Sequence, residues 1–111
     1  MLNVNNLPPL EDELEAACYR VILKLIVPDL RAKFKDFKFN WPVETKRGCR
    51  DWTTCLIQNK GNKRHLAVIF GTSQSLVFAT RHGHLDIPLA DPDIHIKILK
   101  YVSLALEVAC T

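Results

Sequence analysis

The sequence predicts an α+β domain: an N-terminal helix, an antiparallel β-meander of about five strands and a C-terminal helix packed on the sheet. Three observations predict it. Apolar residues recur at helical spacing near both ends, the period changes to two between them, and turn residues cut that central region into short segments. With 111 residues, 48% hydrophobic and 24% charged, the chain lies in the globular range, and one core without disulfide or metal is expected.

Residues 1–9, polar and closed by Pro8-Pro9, read as a flexible arm, which leaves residues 10–111 as a single domain. The first helix is expected from Leu10 to Val27. Leu10, Leu14, Ala17, Cys18, Val21 and Leu25 repeat at three and four residues and define one buried stripe. Tyr19, Ile22, Leu23 and Ile26 widen the apolar arc beyond one side, so this helix is expected to touch something on two sides. The acids Glu11, Asp12, Glu13 and Glu15 suit its positive end. Neighbouring residues on a helix point apart, so Glu11-Asp12-Glu13 is read as helix-start charge and not as paired carboxylates. Pro28 removes a helical hydrogen bond, which predicts a break or kink there with a short further turn through Ala32.

From Phe37 the pattern alternates: Phe37, Phe39, Trp41 and Val43 inward, with Lys38, Asn40 and Pro42 between. Pro42 has no ladder donor, so this is an edge strand or the end of one. A basic loop follows at 44–50, then strands at 52–58 and 65–70 joined through Gly61-Asn62, and a turn at 71–74. The next hairpin is expected to turn on His82-Gly83, pairing Arg81 with His84, Phe78 with Ile87 and Leu76 with Leu89. That register gathers Leu76, Phe78, Leu85, Ile87 and Leu89 on one face. Asp91-Pro92-Asp93 supplies the start signals of a last helix reaching about Val108, with Ile94, Ile98, Val102, Ala105 and Val108 on its buried face.

Cys18, Cys49, Cys55 and Cys110 stand in unlike contexts, and Cys49 and Cys55 have five residues between them, wider than a zinc knuckle. The N-terminal residues show neither the basic start nor the apolar run of an export signal, and no stretch reaches membrane-spanning length. A cytoplasmic location with reduced thiols is the expectation.

Three chemistries are compatible with the polar residues, each beside a plainer reading. Net charge is +3, but residues 31–64 alone carry +7. Lys33, Lys35, Lys38, Lys46, Arg47, Arg50, Lys60, Lys63 and Arg64 can track a phosphate backbone, with Phe34 or Trp52 as stacking platforms. Against this, lysines alternating along a strand mark its wet face and protect its edge. His82, His84 and Asp86, closed by His95, Asp91 or Asp93, are the weak metal candidates, and the plainer reading is exposed turn residues. Cys49 or Cys55 paired with a histidine is the candidate thiol nucleophile, but no oxyanion hole or phosphate loop accompanies it. No cofactor is expected. Segments 52–57 and 66–70 are apolar at nearly every position, more than two helices need to cover. The leading expectation is therefore a non-enzymatic binding or adaptor module, homodimeric through an apolar sheet or helix surface, with a protein or peptide partner. Nucleic-acid or other polyanion binding through segment 33–64 is the alternative, and a small enzyme or metal site at His84, Asp86 or Cys49 is the second.

Overall fold

The structure, a computed structural model, describes residues 13–109. The arm at 1–9, the helix start at Leu10, the acids Glu11 and Asp12, and Cys110 lie outside the described residues. The elements follow as α1 (Glu13–Lys33), β1 (Phe37–Asn40), β2 (Val43–Glu44), β3 (Arg50–Asp51), β4 (Thr54–Asn59), β5 (His65–Gly71), β6 (Ser75–Thr80), β7 (Gly83–Pro88) and α2 (Ile94–Ala109). The fold class is the one the sequence predicts. Five strands form an antiparallel sheet in the order β1-β4-β5-β6-β7, and β2 and β3 form a separate two-stranded ribbon.

The alternation from Phe37 to Val43 is divided between two sheets. β1 ends at Asn40, before a cis Trp41-Pro42 bond, and Val43 pairs with Asp51 in the ribbon. β1 is an edge strand, as a proline beside it requires. Its end is held by Arg31, whose Nη2 donates to the carbonyls of Phe39 at 2.8 Å and Trp41 at 3.2 Å. The ribbon's approach to β4 closes on Asp51. Its carboxylate accepts from the Thr53 amide and hydroxyl and from the Thr54 hydroxyl, which satisfies the buried Thr54.

One sheet face carries Phe37, Phe39, Cys55, Ile57, Ala67, Ile69, Leu76, Phe78 and Ile87, and both helices bury their apolar arcs against it. They run the same way, side by side. Each starts at the sheet end where Gly71 and Pro88 lie, and at the other end Lys33 meets Glu107 at 3.5 Å. The opposite face, with Leu56, Val68, Phe70, Val77 and Ala79, has no described helix on it.

The structure departs from four expectations. The arc of α1 that faces the core is Tyr19, Ile22, Leu23, Ile26, Val27 and Leu30, while Leu14, Ala17, Val21 and Leu25 of the predicted stripe are exposed and Cys18 is half-buried. Val21 follows Tyr19 by about 200° of helical rotation, so the two arcs oppose each other. Contact with the sheet decides between them. The Tyr19 ring lies against Gly71, where a Cβ would stand under 3.0 Å from ring carbons, and the Tyr19 hydroxyl donates to the Thr72 carbonyl at 2.7 Å.

Second, α1 continues through Pro28 to Lys33. The lost hydrogen bond and ring clash cost about 3 kcal/mol. Leu30, fully buried, and Phe34 beyond it contribute about 1.5–3 kcal/mol each, so burial wins.

Third, the last hairpin turns on Arg81-His82, pairing Thr80 with Gly83, Phe78 with Leu85 and Leu76 with Ile87. The slip from the expected register is two residues, so every side chain keeps its face. Thr80 closes the turn: its Oγ1 accepts from the His82 amide at 3.2 Å and donates to the Gly83 carbonyl at 3.3 Å. Gly83 adopts φ +146°, which other residues avoid. The final helix begins at Ile94. Asp93 takes its first hydrogen bond, from Lys97, and Asp91 accepts the Asp93 amide one turn earlier. Val108, placed on the buried face by periodicity, is exposed, and Leu106 is buried in its stead.

Gly71→Ala is expected to lower the unfolding free energy by about 1–3 kcal/mol through overpacking, and Tyr19→Phe by about 0.5–1.5 kcal/mol through the lost hydrogen bond, both measured by urea unfolding. Unchanged midpoints would refute the contact. Burial, aided by the charges of Glu15 and Cys18, pushes the Tyr19 hydroxyl from its ordinary 10.0 up to about 12. The fold thus favours the neutral phenol. Its contribution is whole below pH 10.0 and is lost as pH rises toward about 12, so Tyr19→Phe should flatten this part of the alkaline stability profile.

Candidate functional site

A helix with apolar residues all round belongs in an interior, and α1 comes close to that pattern. Opposite its core arc, Ala17, Cys18, Val21, Leu25 and Pro28 line up at spacings of three and four, with Val21 57% and Leu25 56% exposed. Counting back along both helices from the Lys33–Glu107 pair brings exposed Ile96 of α2 beside Ile22 and Val21, so the apolar surface continues onto the second helix. Arg20 and exposed Lys24 border the ridge on one side. The Arg20 guanidinium lies 4.8 Å over the Trp52 ring, which meets Trp41 edge-on at 5.1 Å. Trp41 in turn donates through Nε1 to the Trp52 carbonyl at 2.9 Å. This cluster braces the ridge's flank against the ribbon. The sequence showed the ridge as a stripe and placed it in the core, because periodicity alone does not say which of two apolar arcs meets the sheet.

The nine basic residues divide by position, with Lys35 exposed in the link between α1 and β1. Lys46, Arg47 and Arg50 belong to the β2–β3 ribbon, before β4 begins. Lys60, Lys63 and Arg64 lie in the turn that follows β4. Lys38 points away from the helices on edge strand β1, level with Gln58. Lys33 pairs with Glu107 and lies 5.4 Å over the Phe34 ring, and Phe34 is buried against Phe37. Trp52 is engaged by Arg20 and Trp41, so neither aromatic stands free as a stacking platform. The turn at 60–64 is well built. Asn59 Oδ1 accepts from the Gly61 and Asn62 amides, Asn62 Oδ1 accepts from the Arg64 amide, and Lys63 takes a left-handed φ of 58°. It holds Arg64 toward Arg81 and His82 of the β6–β7 turn, around a cavity under the end of α2.

His84 and Asp86 share the sheet face away from the helices, 3.8 Å apart and largely exposed, while His82 sits in the turn and His95 on the exposed first turn of α2. Asp91 is taken by Lys97, whose hydrogen bond, with that of the Asp93 amide, holds the carboxyl below its ordinary range. Among the described residues no group of three or more His, Cys, Asp or Glu side chains can hold a metal ion. Cys55 is in the core, where burial pushes its thiol up to about 12 against the opposing pull of Arg31. Cys49 is exposed at the tip of the ribbon, its carbonyl accepting from the Thr45 amide at 2.8 Å. The ribbon joins the sheet beside β4 and β1, and His82 and His84 belong to the β7 edge. Strands spaced about 4.8 Å apart separate thiol and imidazoles by about 15 Å or more.

No protein-family profile, no curated protein and no solved structure matches this chain. Among the described residues no helix is long and apolar enough to cross a membrane. What the fold and surface define is a two-layer α+β module with an apolar ridge on the outside of its helical layer.

Thiol placement gives a direct test. Native protein treated with a maleimide and analysed by peptide mass spectrometry should carry label on Cys49 and none on Cys55 until denaturant is added. Rapid labelling of Cys55 in the folded state would contradict its burial.

Proposed function

We propose that this chain is a small non-enzymatic binding module that associates with a second copy of itself through the outer ridge of α1. The observation that carries the reading is the exposure of Val21 and Leu25 on a helix whose other face already fills the core. Leaving two such side chains in water forgoes about 1.5–3 kcal/mol each. The ridge is also self-complementary. A two-fold axis through Val21 that runs two copies antiparallel sets Leu25 of each over Ala17 of the other, a large side chain against a small one, as an isologous interface requires. Ile96 extends the contact onto α2, and the charges of Lys24 on one side and Asp29 on the other supply a polar rim. The dispersed histidines, the core position of Cys55 and the separation of Cys49 from His82 and His84 support a binding role over catalysis.

Light scattering at micromolar concentration should return twice the chain mass of 12.7 kDa. Val21→Asp and Leu25→Asp should each return the single-chain mass, weakening association by about 2 kcal/mol or more because each substitution occurs twice in the interface. Circular dichroism should show both variants folded, since neither side chain belongs to the core. A wild-type chain that stays at 12.7 kDa throughout would overturn the proposal.

A further inference from the structure

At the end of the fold where both helices finish, α2 overhangs the ends of β5 and β6 and leaves a cavity of about 490 Å³. That volume is in the range of small-molecule sites. Its floor is core surface: Ala67, Phe78 and Leu106 are buried. Leu66 and the half-exposed Leu104 form apolar walls, and the mouth is ringed by Arg64, Arg81 and His82 from the two neighbouring turns. No Asp or Glu is among its described lining residues, and neither arginine forms an ion pair with a described residue. An apolar recess with two guanidiniums at its entrance matches one ligand chemistry: a hydrocarbon chain ending in a single anionic head.

We propose that this cavity binds an amphipathic monoanion, a medium-length acyl carboxylate, with its chain against Phe78, Leu66 and Leu104 and its head at Arg64 and Arg81. The division of labour follows from the residues. Water leaving the Phe78–Leu104 walls supplies the affinity for the chain. Arginine is suited to a carboxylate because its planar fork donates two parallel hydrogen bonds. Both arginines sit on turns that hydrogen bonds fix: Arg64 follows the Asn59–Asn62 turn and Arg81 begins the loop closed by Thr80, so the backbone from which each guanidinium reaches the mouth is held in place. The cavity includes no residue of α1, so the proposal does not depend on self-association.

Isothermal titration calorimetry of the full chain, with decanoate as the probe and decan-1-ol, acetate and inorganic phosphate as comparisons, tests the assignment. Decanoate should bind saturably at one per chain. Decan-1-ol should bind at least about tenfold more weakly for want of the charge-assisted hydrogen bonds, and acetate and phosphate should not saturate. The Arg64→Ala/Arg81→Ala variant should lose that tenfold preference for decanoate over decan-1-ol. Leu104→Glu, which puts a carboxylate on a half-exposed wall without touching the core, should abolish decanoate binding while leaving the melting temperature near that of the wild type. The proposal is overturned if decanoate fails to saturate, if decan-1-ol or phosphate binds as tightly as decanoate, or if the folded double variant keeps the full preference.

Discussion

The Tyr19 ring rests on the backbone at Gly71, where the missing side chain lets helix and strand approach, and its hydroxyl donates to the next carbonyl, that of Thr72. This contact joins residues 53 positions apart and sets the rotation of α1 about its own axis. Once Tyr19 faces the sheet, Ile22, Leu23, Ile26 and Leu30 follow it inward at helical spacing, and Val21 and Leu25 must face out. The rotation also decides where the charges go: Arg31 reaches the end of β1, and Arg20 settles over Trp52. The rest of the helical layer is built around that choice. With α1 turned the other way, Leu14, Val21 and Leu25 would meet the sheet and the phenol would lose its partner.

Placing both helices on one face gives the sheet two unlike sides. The inner side joins all five strands to both helices in one apolar cluster. On the outer side Val68 and Val77 are only 2% and 6% exposed, level in the register with Leu56 and Ala79 and with Phe70, while Lys38, His84 and Asp86 stand in solvent toward the two edges. Antiparallel sheets tolerate this asymmetry where strands alternate, as β1 and β7 do. β4, β5 and β6 are apolar on both faces in the middle of the sheet, and that is the origin of the apolar surplus visible in segments 52–57 and 66–70.

Polar chemistry is dispersed by the same topology. A meander sends successive turns to opposite ends of the sheet, so the bases before β4 and those after it are separated by the strand's whole length. Histidines two residues apart in sequence are split between a turn and a strand. What the topology does bring together are Arg64 and Arg81, from turns at the same end, beneath the overhang of α2. The Asn59–Asn62 turn was legible from Gly61-Asn62, but its meeting with the β6–β7 turn needed the strand order.

The sequence by itself determined the classes of element and most of the faces. Period two from Phe37, the turn residues between strands and the acids before α2 are local signals that no long-range contact opposes. Even the misplaced hairpin turn left each side chain on its predicted face, since a two-residue slip preserves the alternation. Only the tertiary structure decided which arc of α1 is buried, whether Pro28 ends it, and that both helices share one side of the sheet. The reason in each case is a long-range contact that outweighs a local preference. Two apolar arcs of similar strength give periodicity no basis for choosing between them, and the Tyr19–Gly71 approach does. A proline's lost hydrogen bond predicts a stop, and the burial of Leu30 and Phe34 beyond it carries the helix past.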